Sequence, residues 1–324
     1  MQLDELDKKL IYELGRNARQ SYRELAKRLH SKKDVIAYRM NALIDKEVIW
    51  KFVPIIAVNW LGLLACKTYF KFHGMTKSVE EEMMRDLLND RTVSWIAPCT
   101  GAWDLFISTW TTTMFDYVKR KNTFFSKYGR YVEEYALTMN EDVLVFNRDH
   151  FLQQKNNDRK NVSFGGEMRK EHITETEKKI LFLIMNDGRY KAQELATTLK
   201  LNPKTVISHI RALENRGIIQ GYTVFLNRAT IGLTLVKLCV YLHDYSNAAV
   251  TKVLGFVGTR PEVVHVVKAI GSWELEFELE VQDSNVVYLF VRELRNQFPK
   301  IIKRVDVANI IAEPKLSLFP EQEY

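Results

Sequence analysis

One short stretch of the chain carries polar side chains at a spacing suited to contact with a polyanion. Four of them recur at intervals of three and four residues and so share one stripe of a helix: Lys204, Ser208, Arg211 and Asn215. This stripe has no carboxylate, and its cations and amide can bind phosphates or the edges of bases. An apolar stripe on the opposite side must face a core and consists of Val206, Ile210 and Leu213. The pattern predicts a helix that is packed on one side and basic on the other.

A second row of reactive side chains is the alternation from Glu274 to Val281, which puts carboxylates on one face of a strand and apolar residues on the other. A row of carboxylates can bind a metal ion or act in general acid–base catalysis. Successive residues on one face lie roughly 7 Å apart, however, so a pair cannot share a small cation without a neighbouring strand. In the predicted sheet that strand sets Lys237 and Tyr241 beside the row. Two interpretations follow, cross-strand charge pairing and binding of a ligand's ammonium group.

The remaining residues form no pattern for catalysis or metal binding. The three cysteines, Cys66, Cys99 and Cys239, are isolated and odd in number, which predicts core thiols. The seven histidines include no His-x-x-x-His pair, and no Ser-His-Asp, P-loop or dinucleotide fingerprint occurs. The sequence therefore predicts a protein that is not an enzyme, with no catalytic residues, no metal and no cofactor.

The basic stripe lies on the second helix of a predicted helix-turn-helix. Asn202 can cap this helix, Pro203 suits its first position, and Gly217 ends it. A shorter helix precedes it over residues 191–199. Two short helices of which the second is basic form the arrangement that places the second, or recognition, helix in the major groove.

The whole pattern occurs twice, because subtracting 170 from each number carries the second half of the chain onto the first without a gap. The apolar stripe becomes Ile36, Met40 and Leu43, and the segment from Gly271 to Glu274 becomes Gly101 to Asp104. In each copy the helix-turn-helix is followed by strand, helix, strand, strand, helix, strand. The predicted fold class is α+β, a tandem duplication of a winged helix-turn-helix domain followed by a ferredoxin-like βαββαβ regulatory domain.

This organisation predicts two units joined by a connector. The predicted helix-turn-helix domains span residues 1–58 and 173–228, the ferredoxin-like domains span 59–149 and 229–324, and a flexible linker spans 150–172. The linker has no apolar period and can span about 25 Å as a coil of that length. We therefore expect the two sheets to self-associate, either within one chain as a pseudo-dimer or between chains as a homodimer.

Charge is divided unevenly along the chain. The formal net charge is +7, with +3 on residues 1–50, +3 on 173–222, +2 on 151–172, 0 on 51–150 and −1 on 223–324. The helical parts and the connector thus carry all the excess positive charge, which favours contact with a polyanion there. No apolar run of about 18 residues and no signal-peptide core occur, so we expect a soluble cytoplasmic protein without a membrane partner.

With these elements in this order, the chain resembles the Lrp/AsnC family of transcription regulators, as two fused copies. The resemblance rests on the segments Asp187-Gly-Arg189, Glu194-Leu-Ala196, 201–222 and the two Gly-x-Trp-Asp/Glu loops. It implies double-stranded DNA as partner and a dimerising regulatory sheet. It also implies an amino-acid effector site near those loops, at Gly101, Trp103, Asp104, Gly271, Trp273 and Glu274.

The predicted DNA-binding residues come from both units. Those of the second unit are Arg189, Lys204, Thr205, Ser208, His209, Arg211 and Asn215, and those of the first are Lys32, Lys33, Tyr38, Arg39 and Asn41. For Arg189 a hydrogen bond to the end of a helix is an alternative to a phosphate contact. The equivalent stripe of the first unit is Asp34, Tyr38, Asn41 and Asp45, whose two carboxylates would repel DNA. The second unit is therefore predicted to be the stronger reader.

Two other functions are compatible with this architecture. One is a protein-interaction scaffold whose helix-turn-helix domains have lost DNA binding. The other is an enzyme similar to the siroheme decarboxylases, which share the two-part architecture and place His and Arg residues ahead of the third sheet strand. In this chain only His265 and Lys268 could serve there.

Overall fold

The structure is a computed structural model that describes residues 2–152, 162–185 and 187–320. Three helices open the chain and a strand leaves them: α1 (Glu5–Arg16), α2 (Tyr22–Arg28), α3 (Lys33–Asp45) and β1 (Ile49–Ile56). A sheet with two helices follows: β2 (Leu64–Phe72), α4 (Lys77–Asn89), β3 (Val93–Gly101), β4 (Leu105–Thr111), α5 (Met114–Tyr128) and β5 (Val132–Val145). This is the predicted ferredoxin-like order.

The second unit repeats the first after a short strand, β6 (Val162–Gly165). Its helical part consists of α6 (Glu175–Ile184), α7 (Ala192–Leu199), α8 (Pro203–Asn215) and β7 (Ile219–Leu226). Its sheet part consists of β8 (Thr234–Leu242), α9 (Asn247–Gly258), β9 (Val263–Gly271), β10 (Leu275–Val281), α10 (Ser284–Gln297), β11 (Ile302–Ile310) and the two-residue β12 (Lys315–Leu316). The predicted α+β duplication is confirmed. Among the described residues, none of the helices combines the length and apolar character that crossing a bilayer requires.

The helices of the second unit begin where the sequence predicts. Thr174 and Glu177 form a capping box at the start of α6, in which each side chain accepts the other residue's N–H. Asn202 caps α8 by accepting the N–H of Lys204 at 2.9 Å, and Pro203 occupies the first helical position. These local contacts fix the first turn of α8 and hence the direction of its polar face.

The ends of the two recognition helices differ in one residue. Gly217 follows α8 in the left-handed conformation, with φ +72°, as its role in ending the helix requires. The equivalent position after α3 holds Glu47, which adopts φ +55°. A left-handed conformation costs a residue with a Cβ about 1–2 kcal/mol, so the first unit keeps the same turn at a strained position.

The helical parts of both units share one apolar core. The predicted stripes of α3 and α8 are buried in it, and β1 and β7 cross it as an antiparallel two-stranded ribbon. In a winged helix-turn-helix domain, the extended segments after the two recognition helices would each form a wing of their own domain. They instead pair with each other across the two units, because each ribbon strand has an apolar face that only the shared core covers.

The two ferredoxin-like sheets close on each other within the chain. Each sheet has four strands, in the orders β5-β2-β4-β3 and β11-β8-β10-β9, and β5 pairs with β9 while β11 pairs with β3. Both seams are antiparallel, so eight strands form a barrel without free edges along its main path. Helices α4, α5, α9 and α10 cover the outside, and the inner faces of all eight strands form a second, enclosed core.

The prediction of a flexible linker over residues 150–172 is wrong for residues 162–165, which form a strand. Residues 153–161 lie outside the described residues, but β6 pairs with the end of β5, from Asp142↔Gly165 to Val145↔Val162. Asn59 also donates through its amide nitrogen to the carbonyls of Gly165 and Glu167. Composition gave no sign of this strand, because its partners lie in another element.

Candidate nucleic-acid interface and barrel interior

The polar stripe of α8 is exposed as predicted. Its residues lie with Ile207 and Ala212 along one shallow surface groove: Lys204, Ser208, Arg211 and Asn215. Lys204 and Arg211 form no ion pair with the described residues, so both cations are available to an external anion. Thr205 is exposed beside them, whereas His209 is half-buried with its Nδ1 4.0 Å from Glu177 of α6. His209 therefore faces its own domain more than the groove.

The equivalent face of α3 is exposed but differs in charge. Its stripe consists of Asp34, Tyr38, Asn41 and Asp45, all exposed, and Lys32 and Lys33 flank it. Arg39 is held by the start of α1, with Nη1 at 2.6 Å from Asp4 and 3.3 Å from Asp7. These contacts raise the pKa of Arg39 further and pair its charge. Among the described residues, the first recognition helix thus presents two carboxylates without an ion pair, where the second presents two such cations.

Arg189 belongs to the contact between the units, which corrects its assignment to DNA. Its Nη1 donates to the carbonyls of Ala18, at 2.5 Å, and Gln20, at 2.9 Å, just beyond the end of α1. The equivalent residue, Arg19, donates in return to the carbonyl of Gly188 at 2.9 Å. The acceptors lie in the loop that follows α1 of the other unit, so the contact is a hydrogen bond within the protein, close to but beyond a helix end. The sequence reasoning missed Arg19 because the partner carbonyl lies 169 residues away.

The two Gly-x-Trp loops form the seams of the barrel. Gly101 has φ +109°, and a Cβ there would lie 2.5 Å from the carbonyl oxygen of Val307, which accepts the N–H of Ala102. Gly271 has φ +142° and makes the same approach to Leu137 of the first unit. These glycines are required because only they allow one backbone to approach another so closely.

The other predicted effector residues also have structural partners. Trp103 and Trp273 are buried inside the barrel, with ring centroids 5.9 Å apart. Asp104 accepts from Lys71 Nζ and the Phe72 N–H, and Glu274 accepts from the Leu242 N–H. All six residues therefore hold the barrel together, and effector binding by them stays a prediction.

The row of carboxylates on β10 faces the barrel interior. Lys237 of β8 donates to Glu276 at 2.9 Å and to Glu278 at 2.6 Å, which confirms the predicted cross-strand pairing. Lys67 of the first unit donates to Glu276 at 2.7 Å. Burial would raise the pKa of Glu276, but the two ammonium groups outweigh it and hold that pKa below its ordinary value.

The last carboxylate of the row, Glu280, is also paired with cations. Arg148 of the first unit and Arg228 of the second donate to Glu280, at 2.9 and 2.8 Å. His265 lies with its Nδ1 2.8 Å from Glu278. Sequence reasoning missed the arginines, since both come from segments outside the sheet strands. Tyr241, expected beside the row, stacks instead under Arg304 at 3.9 Å.

Comparison with known proteins supports this architecture in each half separately. Residues 3–44 match the family described as AsnC-type helix-turn-helix domain, and residues 173–220 match the one described as winged helix-turn-helix DNA-binding. The chain is similar to an uncharacterized HTH-type transcriptional regulator of Pyrococcus furiosus, with 24% identity over 142 residues, which is 44% of this chain and 92% of that protein. It is also similar to the HTH-type transcriptional regulator AldR of Mycolicibacterium smegmatis, with 24% identity over 131 residues, which is 40% of this chain and 77% of AldR.

A solved structure shares the arrangement of the whole chain. The siroheme decarboxylase NirDL superposes with a TM-score of 0.62 at 14% identity, over 97% of this chain and 93% of that one. At this identity the likeness concerns the fold alone. It shows that the two-unit arrangement, with both ferredoxin-like parts in one body, occurs elsewhere.

Proposed function

Because this chain belongs to the Lrp/AsnC family of transcription regulators, present here as two fused copies, we propose that it binds double-stranded DNA with its second recognition helix as the principal reader. The observation that supports this is the exposed polar stripe of α8, which has no carboxylate and carries two cations that form no ion pair within the described part of the chain. Such a face can donate to phosphates and to base edges without repulsion.

The shared core fixes both readers in one body. The β1–β7 ribbon and the reciprocal contacts of Arg19 and Arg189 tie the helix-turn-helix domains together without a second chain. Two similar recognition helices held in one body can bind two similar half-sites of DNA. Because α3 and α8 differ in charge, we infer an operator with two unequal half-sites, of which α8 reads the more constrained one.

The test compares the same kind of change in the two readers by fluorescence anisotropy on the native promoter fragment. Arg211→Ala removes a potential bidentate base contact, worth about 1–3 kcal/mol, so we expect roughly tenfold weaker specific binding. Asn41→Ala is the matched change on α3 and should cost less. Affinity should also fall with salt by about 0.9 log unit per log unit of salt for each phosphate bound.

Two results would contradict this function. A larger loss for Asn41→Ala would make α3 the principal reader. Binding that is absent at low salt, with partner proteins still captured by the helical domains, would instead support the scaffold alternative.

An enzymatic function is less well supported by the interior of the barrel. NirDL has been solved with an iron-uroporphyrin III analogue, so its fold can hold a tetrapyrrole. Here the interior near His265 is a cavity of about 100 Å³ in which His265 is already engaged by Glu278. Pockets for drug-sized ligands measure about 300–1,000 Å³. We therefore propose a binding protein and expect no change in the absorption spectrum of iron-uroporphyrin III on titration with it.

Binding of an amino-acid effector is a further proposal. Effectors should act near the loops at Gly101–Asp104 or Gly271–Glu274, as the family resemblance implies. A thermal-shift screen of the twenty amino acids, repeated with DNA affinity as the readout, tests this. If neither quantity changes, the loops serve barrel closure alone.

A further inference from the structure

A cleft of about 420 Å³ opens in the first unit between α4, α5 and the outer face of the sheet. Its floor is apolar and includes Phe70, Val93, Ile107 and Phe124. Polar side chains enter it from β2, β4 and α5. Its volume lies within the range typical of pockets for small organic ligands.

The second unit provides an internal comparison, because the same place there is filled. In the first unit the cleft is lined by Thr68, Thr109, Tyr117 and Arg120, and the residues 170 positions later are Leu238, Leu279, Val287 and Phe290. All four of the latter are buried in one apolar cluster, and the ring of Phe290 contacts those of Phe256 and Phe277. The fold therefore packs well without polar groups at these positions.

The hydroxyl groups that line the cleft are hydrogen-bonded. Thr68 Oγ1 and the Tyr117 hydroxyl are 2.9 Å apart, and Thr109 donates to the carbonyl of Cys66. Polar groups in a core destabilise it unless they are hydrogen-bonded. Burial raises the pKa of Tyr117 to about 12, so its hydroxyl stays protonated at neutral pH and can donate.

Arg120 supplies a half-buried cation in the lining of the cleft. Its Nη1 donates to Thr92 Oγ1 at 2.8 Å, and its Nε is buried. The guanidinium forms no ion pair with the described residues, although the charge of Asp116 lies nearby. A terminal nitrogen of Arg120 can therefore donate to an acceptor that enters the cleft.

The acidic residues around the cleft are hydrogen-bonded to the protein. Asp86 accepts from Lys127 and the Tyr128 hydroxyl, which pairs its charge. Asp90 accepts from Thr92, and Asp116 accepts from the hydroxyls of Thr112 and Thr113, so both keep their negative charge. The lining holds four cations, Lys119, Arg120, Lys121 and Lys127, against these three carboxylates, which favours an anionic group of a ligand.

We propose that this cleft binds a small organic carboxylate that has an apolar body. The carboxylate accepts from a terminal nitrogen of Arg120 and from the Tyr117 hydroxyl. The apolar body lies against Phe70, Ile107 and Phe124. The proposal is independent of DNA binding, since neither recognition helix contributes to the cleft.

The experiment measures binding of phenylacetate, isovalerate and indole-3-acetate to the full chain by isothermal titration calorimetry without DNA. We expect saturable binding of at least one acid with one site per chain. Phenylacetamide, which lacks the charge, should bind at least tenfold more weakly than phenylacetate if phenylacetate is the best of the three.

Variants assign the binding to the cleft. Arg120→Met should weaken it tenfold or more, whereas Arg292→Met, an exposed arginine on the equivalent helix α10, should leave it unchanged. Tyr117→Phe, which keeps the ring, should weaken binding severalfold and serves if Arg120→Met does not fold. No saturable binding of any of the three acids, or equal binding by all variants, would overturn the proposal, as would phenylacetamide that binds as well as the acids.

Discussion

Removal of the Lys237 ammonium tests whether the barrel interior is held by charge. Lys237 is fully buried and donates to both Glu276 and Glu278. After Lys237→Met, Glu276 keeps Lys67, but Glu278 keeps only His265. Removing one partner of a buried ion pair typically costs about 3–5 kcal/mol, because a charge is left uncompensated. We expect a loss of that size in the free energy of unfolding at pH 7.5.

The loss should depend on pH in a defined direction. Burial would raise the pKa of Glu278, but Lys237 and then His265 hold it well below the ordinary 4.5. In the native protein this depressed pKa contributes stability that is present above pH 4.5 and is lost only as the pH falls below that value. Without Lys237 burial dominates and the folded pKa of Glu278 rises above 4.5. The variant therefore recovers stability as the pH falls from 7.5 to 5.

Urea unfolding at both pH values measures the effect. The penalty of Lys237→Met should be clearly smaller at pH 5 than at pH 7.5, and the double change Lys237→Met, Glu278→Gln should restore part of the stability at pH 7.5. Lys252→Met, at an exposed lysine on α9, is the matched control and should change little. A penalty under about 1 kcal/mol, or one independent of pH, would refute the view that these charges hold the barrel.

Three further predictions follow from the asymmetry of the units. Asp34→Asn removes a carboxylate from the α3 face, so non-specific DNA affinity measured by anisotropy should rise, and unchanged or weaker binding would contradict this assignment. Glu47→Gly relieves a left-handed residue and should raise the unfolding free energy by about 0.5–1 kcal/mol, whereas Gly217→Ala should lower it; opposite signs in urea unfolding would contradict the strain. Residues 1–150 and 173–324, expressed separately, should recombine on mixing, as measured by size-exclusion chromatography with light scattering, whereas two halves that stay monomeric would show that the seams do not hold without the connector.

Local patterns predicted the elements and the faces that they bury. The apolar stripes of α3 and α8, the cap at Asn202 and the alternation on β10 all depend on residues within a few positions of each other. The pairing of Lys237 with that row could also be predicted, because the order of strands in a ferredoxin-like sheet makes them neighbours. The ungapped offset of 170 residues then extended each prediction to both units.

The contacts between units could not be predicted in the same way. Arg189, the β1–β7 ribbon and the strand β6 each have partners in another unit or element, and periodicity within a segment says nothing about them. The cleft in the first unit did leave a signal in the sequence. Setting Thr68 beside Leu238 and Arg120 beside Phe290 shows polar residues at core positions of only one copy.

The barrel interior has a consequence for how the two halves can evolve. The first unit supplies Lys67 and Arg148, while the second supplies Glu276, Glu278 and Glu280. Two copies of the second half would enclose twice the carboxylates and would lose Arg148, whose equivalent is Leu318, although Lys237 is itself the equivalent of Lys67. Two copies of the first half would enclose cations with Phe106, Ser108 and Trp110 in place of the carboxylates. Either symmetric pair leaves buried charge uncompensated. Each half therefore depends on charges that the other half supplies. A protein of this fold built from two identical subunits would require several simultaneous substitutions.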